Sequence, residues 1–209
     1  MGINNGVDAI KGYEMGVLTE GPKKKQKPEL AVVIVDMQQK LLEKIALEKR
    51  DRIIQHQIRV IQYCSANGIP VAVLEAFGYF STIAELHDCL FPLKVRGFRK
   101  SDNNGFTNSE FAEYLKEIGI KSLFFMGVYA GACVVDTARG GLDSGFNVAT
   151  SEEVIAQPEH WRPDYYRKVF SEEGRLYLDG KSYLEKGKRV FIGDNGDLID
   201  RLVGATHHY

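Results

Sequence analysis

This 209-residue chain has no apolar run approaching the ~18 residues needed to cross a bilayer. Its opening stretch, MGINNGVDAI, has no apolar segment of the signal-peptide kind. A cytoplasmic protein with no membrane partner is therefore expected. Gly6 stands where an N-myristoylation signal starting at Gly2 needs Ser or Thr, so a lipid anchor is not expected either. Charge of one sign is also missing. Lys and Arg number 27 against 28 Asp and Glu, a net charge of −1, and no basic stripe interleaves with aromatics. Nucleic acid is not an expected partner. Cysteine is scarce and odd in number: Cys64, Cys89 and Cys133. They show no C-x-x-C spacing and no neighbouring His-x-x-x-His pair, which argues against a disulfide framework and a structural zinc site alike.

The residues that are present, 44% hydrophobic and 26% charged, suit one globular domain large enough to bury a core. Residues 1–28 are polar, end in GPKKKQKP and read as a flexible arm; residues 29–209 read as a single domain. LAVVIVD, 30–36, is a continuous apolar run of the kind found in a strand covered on both faces. Ile53, Ile54, Ile58, Ile61 and Cys64 recur at helical spacing until Asn67-Gly68 stops them. PVAVLE is a second strand, and residues 76–92 read as irregular or weakly helical. LKVRGFRK reads as a third strand, and Asn108 caps a helix running to Gly119. KSLFFMG, a helix over about 131–144 and FNVATS complete the alternation. The fold class is α/β: an open, mostly parallel sheet with helices on both faces. Asp179-Gly180 between aromatic-rich segments adds a C-terminal hairpin appendage.

Ligands of an open parallel sheet bind at the carboxyl ends of its strands. Asp36, Lys100 and Cys133 all fall at such ends. Singly, each has a plain explanation: a turn cap, a solvated amine, a small buried hydrophobe. Together they are an acid/base, a cation and a soft nucleophile. Cys133 follows Ala130-Gly131-Ala132, small residues that let a substrate approach backbone N–H groups closely. The first turn of a helix is expected to lower its thiol pKa from about 8.5. Cys64 on a helical stripe and Cys89 in HDCLF read as packing.

These segments resemble the isochorismatase-like cysteine hydrolases, a family that includes nicotinamidases, carbamoylsarcosine and ureidoacrylate amidohydrolases, and isochorismatase itself. AVVIVDMQ is similar to the family's first strand with its Asp and following Gln. KSDNNGF has the spacing of its Lys-x-x-x-Ser-Ala-Phe element, and GVYAGACVVDTARGGLDSGF resembles its cysteine block. The resemblance implies a triad of Asp36 as general base, Lys100 as positioning cation and Cys133 as nucleophile. It also implies a cis peptide at Val128-Tyr129, with the N–H groups of Tyr129 and Cys133 holding an oxyanion. It implies a homo-oligomer, dimer or larger, acting on a small-molecule substrate. Departures are Asn104-Gly105 for Ser-Ala, Gly141 for Ala and Glu153 for Asp. Nicotinamidases carry an Asp-x-His metal element where this chain has Glu75-Ala76-Phe77, so neither metal nor cofactor is expected. Phe77, Tyr79, Phe80, Tyr129 and Trp161 either line the substrate pocket or serve as core or interface aromatics. The implied activity is hydrolysis of a small amide or ureido C–N bond through a thioester. A vinyl ether hydrolase and an idle binding protein on the same fold are the alternatives.

Overall fold

The computed structural model describes residues 28–93 and 95–161. The N-terminal arm and the C-terminal hairpin expected from the sequence lie outside them.

Among the described residues five strands form one sheet: β1 (Leu30–Val35), β2 (Val71–Ala76), β3 (Arg96–Lys100), β4 (Ser122–Val128) and β5 (Asn147–Ala156). Their order is β3-β2-β1-β4-β5, and every pairing between them is parallel. The central strand β1 is buried along its whole length, which is why its sequence is continuously apolar rather than alternating. Among the described residues five α-helices accompany the strands: α1 (Gln39–Leu42), α2 (Leu47–Asn67), α3 (Ala84–Leu90), α4 (Ser109–Glu117) and α5 (Val135–Asp143). The chain moves outward from β1 to β3 and then restarts at β4 on the other side of β1. With right-handed crossovers this reversal puts helices on both faces. It also opens a crevice between the carboxyl ends of β1 and β4.

Local chemistry sets the element boundaries. Gly68, at φ 67°, closes α2 in the left-handed region. The Asn108 side chain accepts from Glu110 N–H and starts α4. Gly127, at φ 136°, is forced by proximity as well as by its dihedral: a Cβ there would meet the Val35 carbonyl oxygen at 2.0 Å. Glycine thus brings the end of β4 hard against the end of β1.

Two expectations need correction. The segment 76–92 contains a regular helix, α3, whose Leu86 and Leu90 are buried. The strand expected to end near Ser151 runs on to Ala156 as β5. Its register against β4 shifts between Phe125 and Gly127. Such an irregularity breaks the alternation that marks a strand in sequence. No helix among the described residues is long and apolar enough to cross a membrane.

Candidate active site

Asp36 leaves β1 in the left-handed region, at φ 54°, a conformation that Asp tolerates better than most residues. The turn is fixed by Asp36 N–H donating to Leu74 O at 2.9 Å and by Gln38 N–H donating to Asp36 O at 2.8 Å. Lys100 ends β3, two strands away. Their side chains meet under the sheet edge: Lys100 Nζ lies 2.7 Å from Asp36 Oδ2, and the two side chains are 1% and 0% exposed. Neither carboxylate oxygen has a well-aligned hydrogen-bond donor among the described residues. Charge holds the pair and leaves the carboxylate able to accept a proton.

Burial raises the Asp36 carboxyl above its ordinary value of 3.8, with the adjacent Lys100 ammonium and Cys133 thiol opposing. Cys133 reaches this pair from β4. The Val128–Tyr129 peptide bond is cis, as the resemblance implies, and Ala130–Val134 form a wide π-type turn ahead of α5. Cys133 is partly buried, and its Sγ lies 3.5 Å from Asn103 Oδ1. Burial pushes its thiol up to about 12; the Asp36 charge adds to that and Lys100 counters it. The lowered thiol pKa expected from a helix first turn is therefore corrected. Cys133 precedes α5 by two residues, and desolvation beside a carboxylate outweighs any dipole. Burial beside a carboxylate thus favours the protonated sulfur.

Around these three side chains the backbone is tightly committed. Ala132 and Val134 N–H both donate to Tyr129 O, at 3.0 and 3.1 Å, and Gly131 N–H donates to Gln157 Oε1 at 3.0 Å. Val128 is fully buried, and Tyr129 donates its hydroxyl to Leu41 O at 2.9 Å while its ring packs 5.1 Å from that of Trp161. Phe77 joins the site through its backbone, its N–H donating to Lys100 O at 2.8 Å; its ring is 76% exposed and turned to solvent.

Two residues position the site in ways the sequence does not disclose: Gln38, which the resemblance marks only as the Gln following Asp36, and Thr137. Gln38 is buried, accepts from Ala76 N–H and donates to Ala76 O and Phe80 O. It ties the loop after Asp36 to the aromatic segment. Thr137 is buried, accepts from Gly105 N–H and donates to the carbonyls of Asn103 and Cys133. Buried amides and hydroxyls at element ends are the available signal, but sequence does not say which of them are buried.

The position corresponding to the metal element of nicotinamidases is otherwise engaged. Glu75 accepts from Thr82 N–H and Oγ1 and pairs with Arg99 at 3.3 Å. Among the described residues no three His, Cys, Asp or Glu side chains converge to hold a metal ion. These residues do not fit such a centre.

Comparison with known proteins agrees with this architecture. Residues 30–160 match the family model described as the isochorismatase domain. No curated protein gives a significant sequence match. Among solved structures, the chain is similar to the MAR1 ribonuclease of Caenorhabditis elegans, with TM-score 0.66 and 20% identity over 86% of this chain and 83% of that one. It is similar to the octameric hydrolase YcaC of Escherichia coli, with TM-score 0.62 and 16% identity over 78% and 74%. It is also similar to N-carbamoylsarcosine amidase of Thermoplasma acidophilum, with TM-score 0.59 and 18% identity over 80% and 99%. At these identities the structural likeness speaks for the fold.

Proposed function

Since the chain belongs to the isochorismatase-domain family, we propose that it is a cysteine-dependent hydrolase of a small amide or ureido compound. One observation carries the reading: a buried Asp36–Lys100 ion pair, 2.7 Å across, closes the carboxyl ends of the strands beside the turn that carries Cys133. Asp36 is the base. Its raised pKa makes it a stronger proton acceptor than an exposed carboxylate, and Lys100 keeps it ionised in a desolvated place. Attack and proton transfer occur together, because burial disfavours a free thiolate. Sulfur bonds to the carbonyl carbon as its proton passes to Asp36. The N–H groups of Tyr129 and Cys133 receive the oxyanion; losing one such donor typically lowers turnover by ~10²–10³. Asp36 returns the proton to the departing nitrogen, and water then cleaves the thioester. Soft sulfur beside a base suits acyl carbon rather than a vinyl ether. The amidase from Thermoplasma acidophilum shows that the fold supports C–N hydrolysis elsewhere.

A panel of amides, ureides and carbamates, followed by mass spectrometry of the digested protein, tests this. An acyl adduct on Cys133 that disappears in Asp36→Asn is expected. Product release with Cys133 never modified, or turnover that survives Cys133→Ala, sinks the reading. The same reading includes self-association. The Escherichia coli relative is an octamer, and Phe77, Phe80 and Phe91 each expose more than three quarters of their surface. Light scattering of the purified chain is expected to give a multiple of 23.5 kDa.

A further inference from the structure

We infer that Asn103 is a specificity-determining residue: its side-chain amide, set against the Cys133 sulfur, accepts the N–H of a carboxamide or ureido group flanking the scissile carbonyl. The inference rests on the reading of Cys133 as nucleophile. Asp36 and Lys100 are buried, so of the three reactive groups Cys133 is the one a substrate reaches. Asn103 is exposed, and its Oδ1 lies 3.5 Å from Sγ.

The loop carrying Asn103 is anchored at every step. Lys100 Nζ donates to Asp102 O at 3.1 Å, and Asn104 N–H donates to Asp102 Oδ1 at 3.4 Å. Gly105 N–H donates to Thr137 Oγ1 at 3.0 Å, and that hydroxyl reaches Asn103 O at 3.1 Å and Cys133 O at 2.6 Å. A hydroxyl has one proton to give, so Thr137 shares it between these two carbonyls and yokes their backbones. The backbone that carries the Asn103 amide is thereby tied to that of Cys133.

Oδ1 lies within donating distance of the thiol, at 3.5 Å. Sulfur is a weak donor, and an amide N–H is a stronger one for the same oxygen. A bound N–H that takes Oδ1 turns the S–H toward Asp36. Recognition of the substrate's nitrogen and delivery of the proton to the base become one event. A dialkylated amide cannot make the exchange. Asn103 forms no bond to the reacting carbon; it selects and positions.

Two alkylating reagents separate the possibilities: 2-chloroacetamide, which carries N–H donors, and N,N-dimethyl-2-chloroacetamide, which carries none. With each, an S–C bond forms, the C–Cl bond breaks, chloride leaves with the electron pair and the thiol proton passes to Asp36. Rates at Cys133 are read by peptide mass spectrometry on the full chain and divided by the rate with glutathione. Wild type is expected to favour chloroacetamide by about fivefold to tenfold, the range one hydrogen bond provides, and Asn103→Ala to bring the ratio close to one. Asn103→Asp keeps an acceptor but adds a negative charge, so it is expected to keep the preference while slowing both reagents. A steric preference for the smaller reagent would persist in Asn103→Ala, and an unchanged ratio there overturns the proposal. If Cys133 reacts no faster than Cys64 and Cys89 with either reagent, the nucleophile reading falls and this proposal with it. Circular dichroism of each variant checks that the fold is retained.

Discussion

Cys64 and Cys133 sit in two regions that burial treats alike and chemistry treats differently. Burial pushes both thiols up to about 12. Beyond burial, Cys64 on the apolar stripe of α2 feels only its own backbone. Cys133, at the carboxyl ends of the strands, feels Asp36 and Lys100. On the proposed reading, a depressed pKa is therefore not what distinguishes Cys133 from Cys64; the adjacent Asp36–Lys100 pair is. The same desolvation that keeps sulfur protonated also raises Asp36, which makes it a better proton acceptor than an exposed carboxylate.

The comparison breaks most sharply by deleting each sulfur in turn. Cys133→Ala is expected to lower kcat by about 10⁴-fold or more, as loss of a nucleophile does, with the urea midpoint nearly unchanged. Cys64→Ala, at a site 1% exposed, is expected to leave kcat alone and cost on the order of 1 kcal/mol in packing. Steady-state kinetics and urea denaturation of the two variants measure both. Comparable kcat for both variants would erase the distinction.

Next in size is the ion pair. Lys100→Met leaves a buried carboxylate without its counter-charge, and breaking such a pair typically costs ~3–5 kcal/mol. Asp36→Leu with Lys100→Met makes the site as apolar as the surroundings of Cys64, and is expected to recover most of that loss without recovering activity. A double variant as unstable as the single one would mean that the pair holds the fold by more than its charges.

Of this contrast, the sequence discloses the residues but not the environments. The alternation of β-branched runs with helical spacing makes the sheet legible, and Gly68 and Asn108 mark boundaries at the positions expected of them. The blocks around Asp36, Lys100 and Cys133 are legible through their resemblance to a family. Burial at a particular atom is not. It depends on Gly127 letting β4 approach β1, on Gln38 spanning to Ala76 and Phe80, and on Thr137 joining two loops; each is a contact between segments distant in sequence. The helix expected to begin at about residue 131 illustrates the cost. The pattern of small residues cannot tell a first helical turn from the wide turn that the structure has there, so sequence points to the dipole where desolvation and Asp36 act.

A smaller effect follows from pH. Alkylation at Cys133 needs Asp36 ionised. The rate is expected to fall as pH drops through the pKa of Asp36, which burial raises above its ordinary value of 3.8. It is expected to be level through neutral pH, because a thiol near 12 has no titration there. At pH 7 the native Cys133 should react about 10²-fold faster than Cys64, the low end of the 10²–10⁴ that a positioned base contributes. Iodoacetamide labelling against pH, with the modified peptides quantified, reads both features. A rise centred near pH 8.5 would mark Cys133 as an ordinary thiol and dissolve the contrast with Cys64.

The smallest effect concerns the wall of the site rather than its charges. In the interior of α5, replacing Gly140 by Ala should by helix propensity alone stabilise the protein by about 1 kcal/mol. A Cβ at Gly140, however, would lie 2.3 Å from Asn104 Oδ1, 2.7 Å from its Nδ2 and 2.8 Å from its Cγ. That amide is occupied, since Oδ1 accepts from Phe106 N–H at 2.9 Å, and the loop it braces also carries Lys100 and Asn103. Gly140→Ala is therefore expected to leave Tm within a few degrees of wild type, propensity offsetting the displaced cap, while slowing alkylation of Cys133 about tenfold. Asn104→Ser shortens the side chain and keeps an oxygen to accept from Phe106. Adding it to Gly140→Ala is expected to restore the rate, because the obstacle is the length of Asn104 and not the new methyl group. A double variant as slow as Gly140→Ala alone would place the effect in α5 itself and detach this loop from the reactivity of Cys133.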